Sequence, residues 1–294
     1  MTGYLVLTKC GEGSRRVGSR QGNKGSCAFG FLSLAPSVGF VLFCSLVFFY
    51  LVLPICIILP ISFSASPYLE FPPRGFSLQW YQRYFHSSGW IDSTILSLQV
   101  AVVVTFFATM IGTIAALGLA RGRFRGKQLV NALIISPMVI PAIIVAIAFY
   151  FLFAGWKLIG TPTGLILAHT VMALPFVVVN VTAALKGFDE RLEQAAMNLG
   201  ANRVQTFFRI TLPLIGPGVF TGALFAFITS FDEIVIAIFI AGSRAATLPK
   251  QMWDGIRMEI NPTTAAVSTL LVSVSAILLV SVEMLRRHSE KKKT

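Results

Sequence analysis

Charged side chains are scarce in this sequence, and the scarcity decides its class. Only 12% of the 294 residues are charged while 55% are hydrophobic, with a mean hydropathy of +0.77. Soluble domains carry about 25% charged and 45–50% apolar residues, so a soluble globular protein is excluded. The composition predicts an all-α protein that crosses the membrane several times.

Histidine and cysteine are also rare. The three histidines, His86, His169 and His288, are scattered and share no metal-ligand spacing, which argues against a metal site. The four cysteines form no CxxC pair, so we interpret them as free thiols rather than a disulfide framework or zinc site.

Two further classes of site are missing. Gly126 and Lys127 are followed by Gln128, and Arg121 stands where a phosphate-binding loop requires its first glycine. If ATP drives this protein, another subunit binds it. The net charge of +12 could suggest nucleic acid, but no nucleic-acid-binding motif lies outside the apolar runs. We therefore expect no nucleic-acid partner, and attribute the basic residues to membrane topology.

Six apolar runs are long enough to cross a bilayer, for which about 20 residues are needed. Between and beyond them lie a basic tail (1–30), a proline- and aromatic-rich external segment (64–92) and a basic C-terminal tail (286–294). With the N-terminus inside, 18 of the 24 Lys and Arg lie on the inner side, which predicts two cytoplasmic termini. We assign the first span to 31–63, with its apolar run at 36–62, and a core domain to 93–285, with spans at 94–120, 129–154, 163–185, 215–241 and 263–285.

Prolines interrupt several of these spans, including Pro137 and Pro141 in the third and Pro175 in the fourth. Such breaks are compatible with a gated path, although a harmless kink explains them equally well.

The longest polar stretch inside the core is the 186–213 segment. Asp189 is a suitable N-cap and Gly200 a suitable C-terminal stop for a first short helix. Asn202 and Gln205 have capping-box spacing for a second helix, which we expect Pro213 to close. An amphipathic loop on the membrane surface would share these features.

The order of residues in this segment resembles the signature of binding-protein-dependent ABC transporter permeases. That signature is EAA, three residues, G, nine residues and I-x-L-P. The glutamate position of the signature is Gln194 here, and Glu193 lies one place earlier. The matching residues are Ala195, Ala196, Gly200, Ile210, Leu212 and Pro213.

Four further stretches resemble the spermidine/putrescine-type branch of that family. They are FPPRGFSLQWYQRYF (71–85), SPMVIPAIIVAIAFYF (136–151), TSFDEIVIAIFIAG (229–242) and TLPKQMWDGIRMEINPTTAAVSTLL (247–271). The resemblance implies a type I importer permease in the bacterial inner membrane, with the 186–213 segment docked on a cytoplasmic ATPase dimer. It also implies a second permease subunit, a periplasmic substrate-binding protein and surrounding lipid, with ATP and Mg bound only by the ATPase. The chain itself would be a transport subunit, not an enzyme.

Asp232 and Glu233 form the one acidic pair deep in an apolar run. A carboxylate at membrane depth costs about 2.5–3.5 kcal/mol on insertion scales unless it meets water or a partner. Adjacent residues on a helix point about 100° apart, so only one would face a path for a cationic solute such as a polyamine. The alternative is a pair satisfied by backbone or hydroxyl groups at a helix interface.

Two other functions fit less of the sequence. An ion-coupled secondary transporter or channel would use Asp232 or Glu233, but gives no reason for the 186–213 pattern. A membrane-embedded enzyme would need a convergent set of His, Cys or carboxylate groups, which the sequence does not supply.

Overall fold

Helices make up most of the described part of the chain. The computed structural model describes residues 34–242, 245–258 and 262–291, with side chains described from residue 39 to residue 277. Within these residues no β-strand forms, and a single antiparallel bridge joins Ser64 to Phe76. The helices are α1 (Leu34–Ser62), α2 (Gln79–His86), α3 (Ser88–Arg121), α4 (Lys127–Val139), α5 (Ala142–Gly155), α6 (Pro162–Lys186), α7 (Arg191–Asn198), α8 (Arg203–Thr206), a π-helical segment (Phe207–Thr211), α9 (Leu212–Phe231), α10 (Val235–Ile240), α11 (Leu248–Met258) and α12 (Thr263–Lys291).

Four stretches of described helix are long and apolar enough to span a membrane: Gly39–Ser62, Ser88–Arg121, Pro162–Lys186 and Arg203–Phe231. The pair α4 and α5 would supply a fifth, although it bends by 106° at the break before Ala142. The sixth expected span coincides with α12, whose described apolar part, Thr263–Ile277, is shorter. The six-span count and the positions of the termini therefore stay predictions. The expected N-terminal tail (1–30) lies outside the described residues, whereas 286–291 of the expected C-terminal tail belong to α12.

The chain divides into two compact units at Pro54, inside α1. The described part of the first unit is the beginning of α1, whose side chains from Gly39 to Leu51 are exposed. Such an apolar, uncovered helix is suited to contact with lipid or with another membrane helix.

Three helices, α3, α6 and α9, form the core of the second unit. Glycines set their close approach: a Cβ added to Gly112 of α3 would lie 2.7 Å from the Val177 side chain of α6. From α9, a Cβ on Gly218 would lie 2.4 Å from the Ala184 Cβ of α6. Small residues are the usual means by which membrane helices pack closely, because apolar burial gives little driving force between helices in lipid.

A second buried cluster joins α2, α3, α11 and α12. It contains Tyr84, Trp90, Leu248 and Val267. Trp80, also buried, donates from Nε1 to the Ser64 carbonyl at 2.7 Å. Several aromatics of the expected external segment 64–92 are therefore packed into the protein.

Two sequence predictions about helix boundaries were wrong. The run 215–241 is not one helix, because α9 ends at Phe231 and α10 begins at Val235. Pro213 does not end a helix but lies at the start of α9, in a continuous helix Arg203–Phe231. Proline is tolerated where the preceding turn is widened, since its ring would otherwise clash with the carbonyl four residues earlier. The π-helical segment Phe207–Thr211 supplies that wider turn.

Candidate functional site

Local capping builds the first helix of the 186–213 segment. Asp189 Oδ1 accepts a hydrogen bond from the Arg191 backbone N–H at 3.0 Å, at the start of α7. After α7, Gly200 has φ +92°, a left-handed conformation that glycine adopts without steric cost. Both the start and the stop agree with the sequence prediction.

The predicted capping box is confirmed at the start of α8. The Asn202 side chain accepts from the Gln205 N–H at 2.8 Å, and Gln205 Oε1 accepts from the Asn202 N–H at 3.2 Å. This reciprocal pair satisfies two backbone donors that a helix start leaves open. It fixes where the chain turns from α7 into the long helix that contains α9.

The two sides of α7 differ in what they contact. Ala196 is buried in the chain, with 8% of its surface exposed. Gln194, Ala195 and Gly200 are exposed, and Leu199 between them is 89% exposed. The structure thus assigns Ala196 to contact within the chain and leaves Gln194, Ala195 and Gly200 on an outward surface, which we call the Gln194–Gly200 face.

Glu193 is the link between α7 and the rest of the protein. Its Oε1 accepts from Arg121 Nη2 at 2.6 Å, and the same oxygen accepts from the Thr211 hydroxyl. The Glu193 side chain is 13% exposed and the Arg121 side chain 32% exposed. The guanidinium of Arg121 also lies 5.7 Å from the centre of the Phe188 ring. One carboxylate therefore joins α7 to the end of α3 and to the π-helical segment.

The remaining signature residues lie along the helix that leaves this contact. Ile210 falls in the π-helical segment, and Leu212 and Pro213 begin α9. Ile210 and Leu212 are half-buried and Pro213 is exposed. The Leu212 N–H donates to the Phe207 carbonyl five residues back, so backbone bonding continues from this turn into α9.

Asp232 and Glu233 lie at the helix break, not inside one continuous helix as the sequence suggested. Asp232 follows the last residue of α9 and is exposed, and its carboxylate makes no hydrogen bond or ion pair with the described residues. Glu233 is half-buried, and its Oε1 accepts from the Ile236 N–H at 3.1 Å in the first turn of α10. The neighbours thus have different environments: Glu233 caps a helix and Asp232 is free.

A buried histidine supports the same break. His169 of α6 is 1% exposed, and its Nδ1 lies 3.1 Å from the Ser230 carbonyl and 3.2 Å from the Ser230 hydroxyl. Because a carbonyl oxygen can only accept, the bond to it places the proton on Nδ1. Ser230 is in the last turn of α9, where carbonyls lack helical partners, so His169 satisfies one of them from a neighbouring helix. In the sequence His169 is only one of three scattered histidines, and no local pattern indicates this role.

Among the described residues, no group of three or more His, Cys, Asp or Glu side chains is arranged to hold a metal ion. The geometry instead gives a surface segment tied to the core by one carboxylate, and a helix break with one free carboxylate.

Comparison with known proteins places this arrangement in a family. The sequence model of the binding-protein-dependent transport system inner membrane component matches residues 108–294. The chain belongs to that family. It is a multi-pass inner-membrane permease, a transport component and not an enzyme.

Relatives of this permease are similar over most of their length. The spermidine/putrescine transport system permease protein PotC of Escherichia coli is 33% identical over 255 residues, which cover 86% of this chain and 95% of PotC. The putrescine transport system permease protein PotI of the same organism is 33% identical over 253 residues, which cover 84% of this chain and 90% of PotI.

Solved structures support the fold of the permease. A bacterial ABC transporter involved in import of the acidic polysaccharide alginate aligns with TM-score 0.68 and 15% identity, covering 89% of this chain and 99% of the other. The methionine transporter MetNI in an inward-facing conformation aligns with TM-score 0.54 and 23% identity, and the alignment covers 67% of this chain and 93% of the other. At these identities the likeness concerns fold alone, and it agrees with the expected ABC importer permease fold.

Proposed function

We propose that this permease carries a small cationic solute, of the polyamine class, and that a separate ATPase drives it through the 186–213 segment. The observation that carries the proposal is the position of Glu193. It ties α7 to both α3 and the π-helical segment, while the Gln194–Gly200 face stays exposed.

The proposed coupling is mechanical. The Gln194–Gly200 face contacts a cleft of the ATPase, which binds ATP and Mg in place of this chain. Closure of the ATPase dimer moves α7. Glu193 passes that motion to Arg121 at the end of α3 and to Thr211, and the continuous helix Arg203–Phe231 carries it into the core.

The assembly that this coupling requires contains further chains. We propose a cytoplasmic ATPase dimer, a second permease subunit and a periplasmic binding protein that delivers the solute. The exposed apolar surfaces of α1 and α5 leave room for lipid and for the second permease, with Phe48 and Phe151 about 70% exposed.

The choice of a cationic solute is supported by Asp232 and by the relatives named for spermidine and putrescine. Asp232 is an exposed carboxylate at the C-terminal end of α9, where unpaired carbonyls and the helix dipole add negative potential. Half-helix ends of this type coordinate cations in other transporters. We assign the transient contact with the amine to Asp232, and a structural capping role to Glu233.

The docking step is tested at Gly200. A Cβ built on Gly200 has no atom within 4 Å, so a side chain there projects into open space on the chain itself. Gly200→Arg is expected to leave the permease in the membrane but to abolish polyamine uptake and co-purification of the ATPase. Gly200→Asn is the matched control, because asparagine tolerates the left-handed conformation and is short.

Uptake of labelled putrescine and pull-down of the ATPase are measured together, in cells that also express the neighbouring genes. Normal uptake by Gly200→Arg would refute docking at this face. If no ATPase binds even the unchanged chain under mild conditions, the ion-coupled alternative built on Asp232 and Glu233 replaces the proposal.

A further inference from the structure

One cavity among the described residues lies where α3 and α6 end and α4 begins. Its volume is about 640 Å³, and its wall is formed by the end of α3, the start of α4 and the end of α6, together with Phe188 and Glu190. Both α3 and α6 are membrane-spanning in length and composition, and both end here with a basic residue. The cavity therefore lies at one boundary between the apolar bilayer core and its polar surface.

Positive charge dominates this cavity. Arg121, Lys127 and Lys186 line it, and Glu190 is the one acidic residue in its wall. Arg121 is engaged by Glu193, and Lys127 donates from Nζ to the Gly122 carbonyl at 3.2 Å. Lys186 is exposed and has no ion pair or hydrogen bond to its side chain within the described part of the chain. Its ammonium is available to a ligand.

The same cavity has an apolar side. Leu119, Leu185 and Phe188 form part of the wall beside the lysines. A neighbouring cavity of about 390 Å³ shares Arg121, Lys127 and Glu190. It adds Arg123 and also Glu193, whose carboxylate is engaged by Arg121, so basic residues line this second cavity as well. A ligand that fits both sides has an anionic head and an apolar body. A polyamine, which is cationic, does not fit.

We propose that this cavity binds the phosphate group of an anionic phospholipid, with Lys186 and Lys127 as its cationic contacts. Basic pockets between membrane helices at the inner surface bind anionic head groups by this chemistry. The acyl chains lie along the apolar wall formed by Leu119 and Leu185. The site is independent of Asp232 and of the proposed solute.

The test uses the full-length permease, purified with its partner subunits in mild detergent and depleted of lipid. Phosphatidylglycerol and phosphatidylcholine are titrated separately, and bound lipid is counted by native mass spectrometry. Lys186→Gln is expected to weaken phosphatidylglycerol binding about fivefold, and the double variant with Lys127→Gln about 30-fold. Lys186→Arg keeps the charge and is expected to keep the binding. Arg125→Gln is the control, because Arg125 lies in the same connection between α3 and α4 but lines neither cavity.

The phosphate group in the cavity could come from a lipid head group or from inorganic phosphate in solution. Inorganic phosphate, added at millimolar concentration, distinguishes these two sources. No displacement of phosphatidylglycerol indicates a lipid site, whereas displacement that Lys186→Gln abolishes indicates a phosphate site filled from solution. Equal binding of both lipids, or equal losses in Lys186→Gln and Arg125→Gln, would overturn the proposal and leave only general attraction to basic surface.

Discussion

The two ends of α9 are built differently. At its beginning, the helix continues without interruption from α8 through the π-helical segment, and Thr211 is held by Glu193. At its end, the helix stops at Phe231, and the chain passes Asp232 and Glu233 before α10. The first end is joined to the surface segment by continuous backbone bonding. The second is separated from the next helix.

This difference assigns separate tasks to the two ends. A continuous helix transmits displacement along its axis, whereas a break allows two helices to move independently. Both arrangements are supported by specific side chains: Glu193 at the continuous end, and Glu233 with His169 at the broken end. Substitution of each supporting side chain, and of the free carboxylate of Asp232 at the break, tests this difference.

Loss of the Glu193 carboxylate should have the largest effect on transport. Glu193→Ala removes the bonds to Arg121 and Thr211, and each hydrogen bond to a charged group contributes about 1.5–3 kcal/mol. We expect uptake to fall on the order of 10–100-fold while the ATPase still binds and hydrolyses ATP. Uptake and ATP hydrolysis are compared in proteoliposomes. Glu190→Gln, an exposed acid nearby, is the control, and a parallel fall in hydrolysis would argue against uncoupling.

Neutralising Asp232 should have the next largest effect. Asp232→Asn keeps size and removes charge, so we expect about a tenfold loss of polyamine uptake with normal amounts of protein in the membrane. Asp232→Glu should retain most uptake. The measurement is the initial rate of putrescine uptake over a range of concentrations. Unchanged kinetics in Asp232→Asn would remove this residue from the solute path.

Replacing His169 should lower stability. His169→Leu leaves the Ser230 carbonyl without its donor in a buried site, at a cost of about 1–3 kcal/mol. We expect the melting temperature in detergent to fall by several degrees. His169→Asn, which retains a donor, should fall less. If the leucine variant is as stable as the original, His169 does not support the end of α9.

The smallest effect is expected at Glu233. Glu233→Gln retains an oxygen that can accept from the Ile236 N–H, so stability should change by less than about 0.5 kcal/mol. Glu233→Ala, which removes the acceptor, should cost about 1 kcal/mol. Thermal unfolding distinguishes them. A large loss of uptake in Glu233→Gln, with stability intact, would transfer the role in transport from Asp232 to Glu233.

Sequence predicted the parts of this structure that depend on near neighbours. The stop at Gly200 and the reciprocal bonds of Asn202 and Gln205 were predictable because capping acts across three or four residues. The length of the apolar runs also predicted most of the membrane-spanning helices. The ABC permease signature identified the family.

The other features of the structure could not be predicted, because they depend on contacts between residues far apart in the sequence. Arg121 and Glu193 are 72 positions apart, and His169 and Ser230 are 61 apart. The break after Phe231 contains no proline or glycine, and the run 215–241 is apolar on both sides of it. The adjacent acids Asp232 and Glu233 are the feature of the sequence that could have indicated this break. Two carboxylates are more easily placed at a helix end than inside a continuous membrane span.

The π-helical segment also determines the angular relation between α8 and α9. Each residue of an α-helix advances the side chain by about 100°. The bond from Leu212 to Phe207 spans five residues in place of four, so the side chains before and after this turn do not continue one stripe. The side chains of α8 are therefore rotated relative to the side chains along which α9 packs. Deleting one residue between Phe207 and Thr211 would rotate α8 and everything attached to it by about a quarter turn, with the core of α9 unchanged.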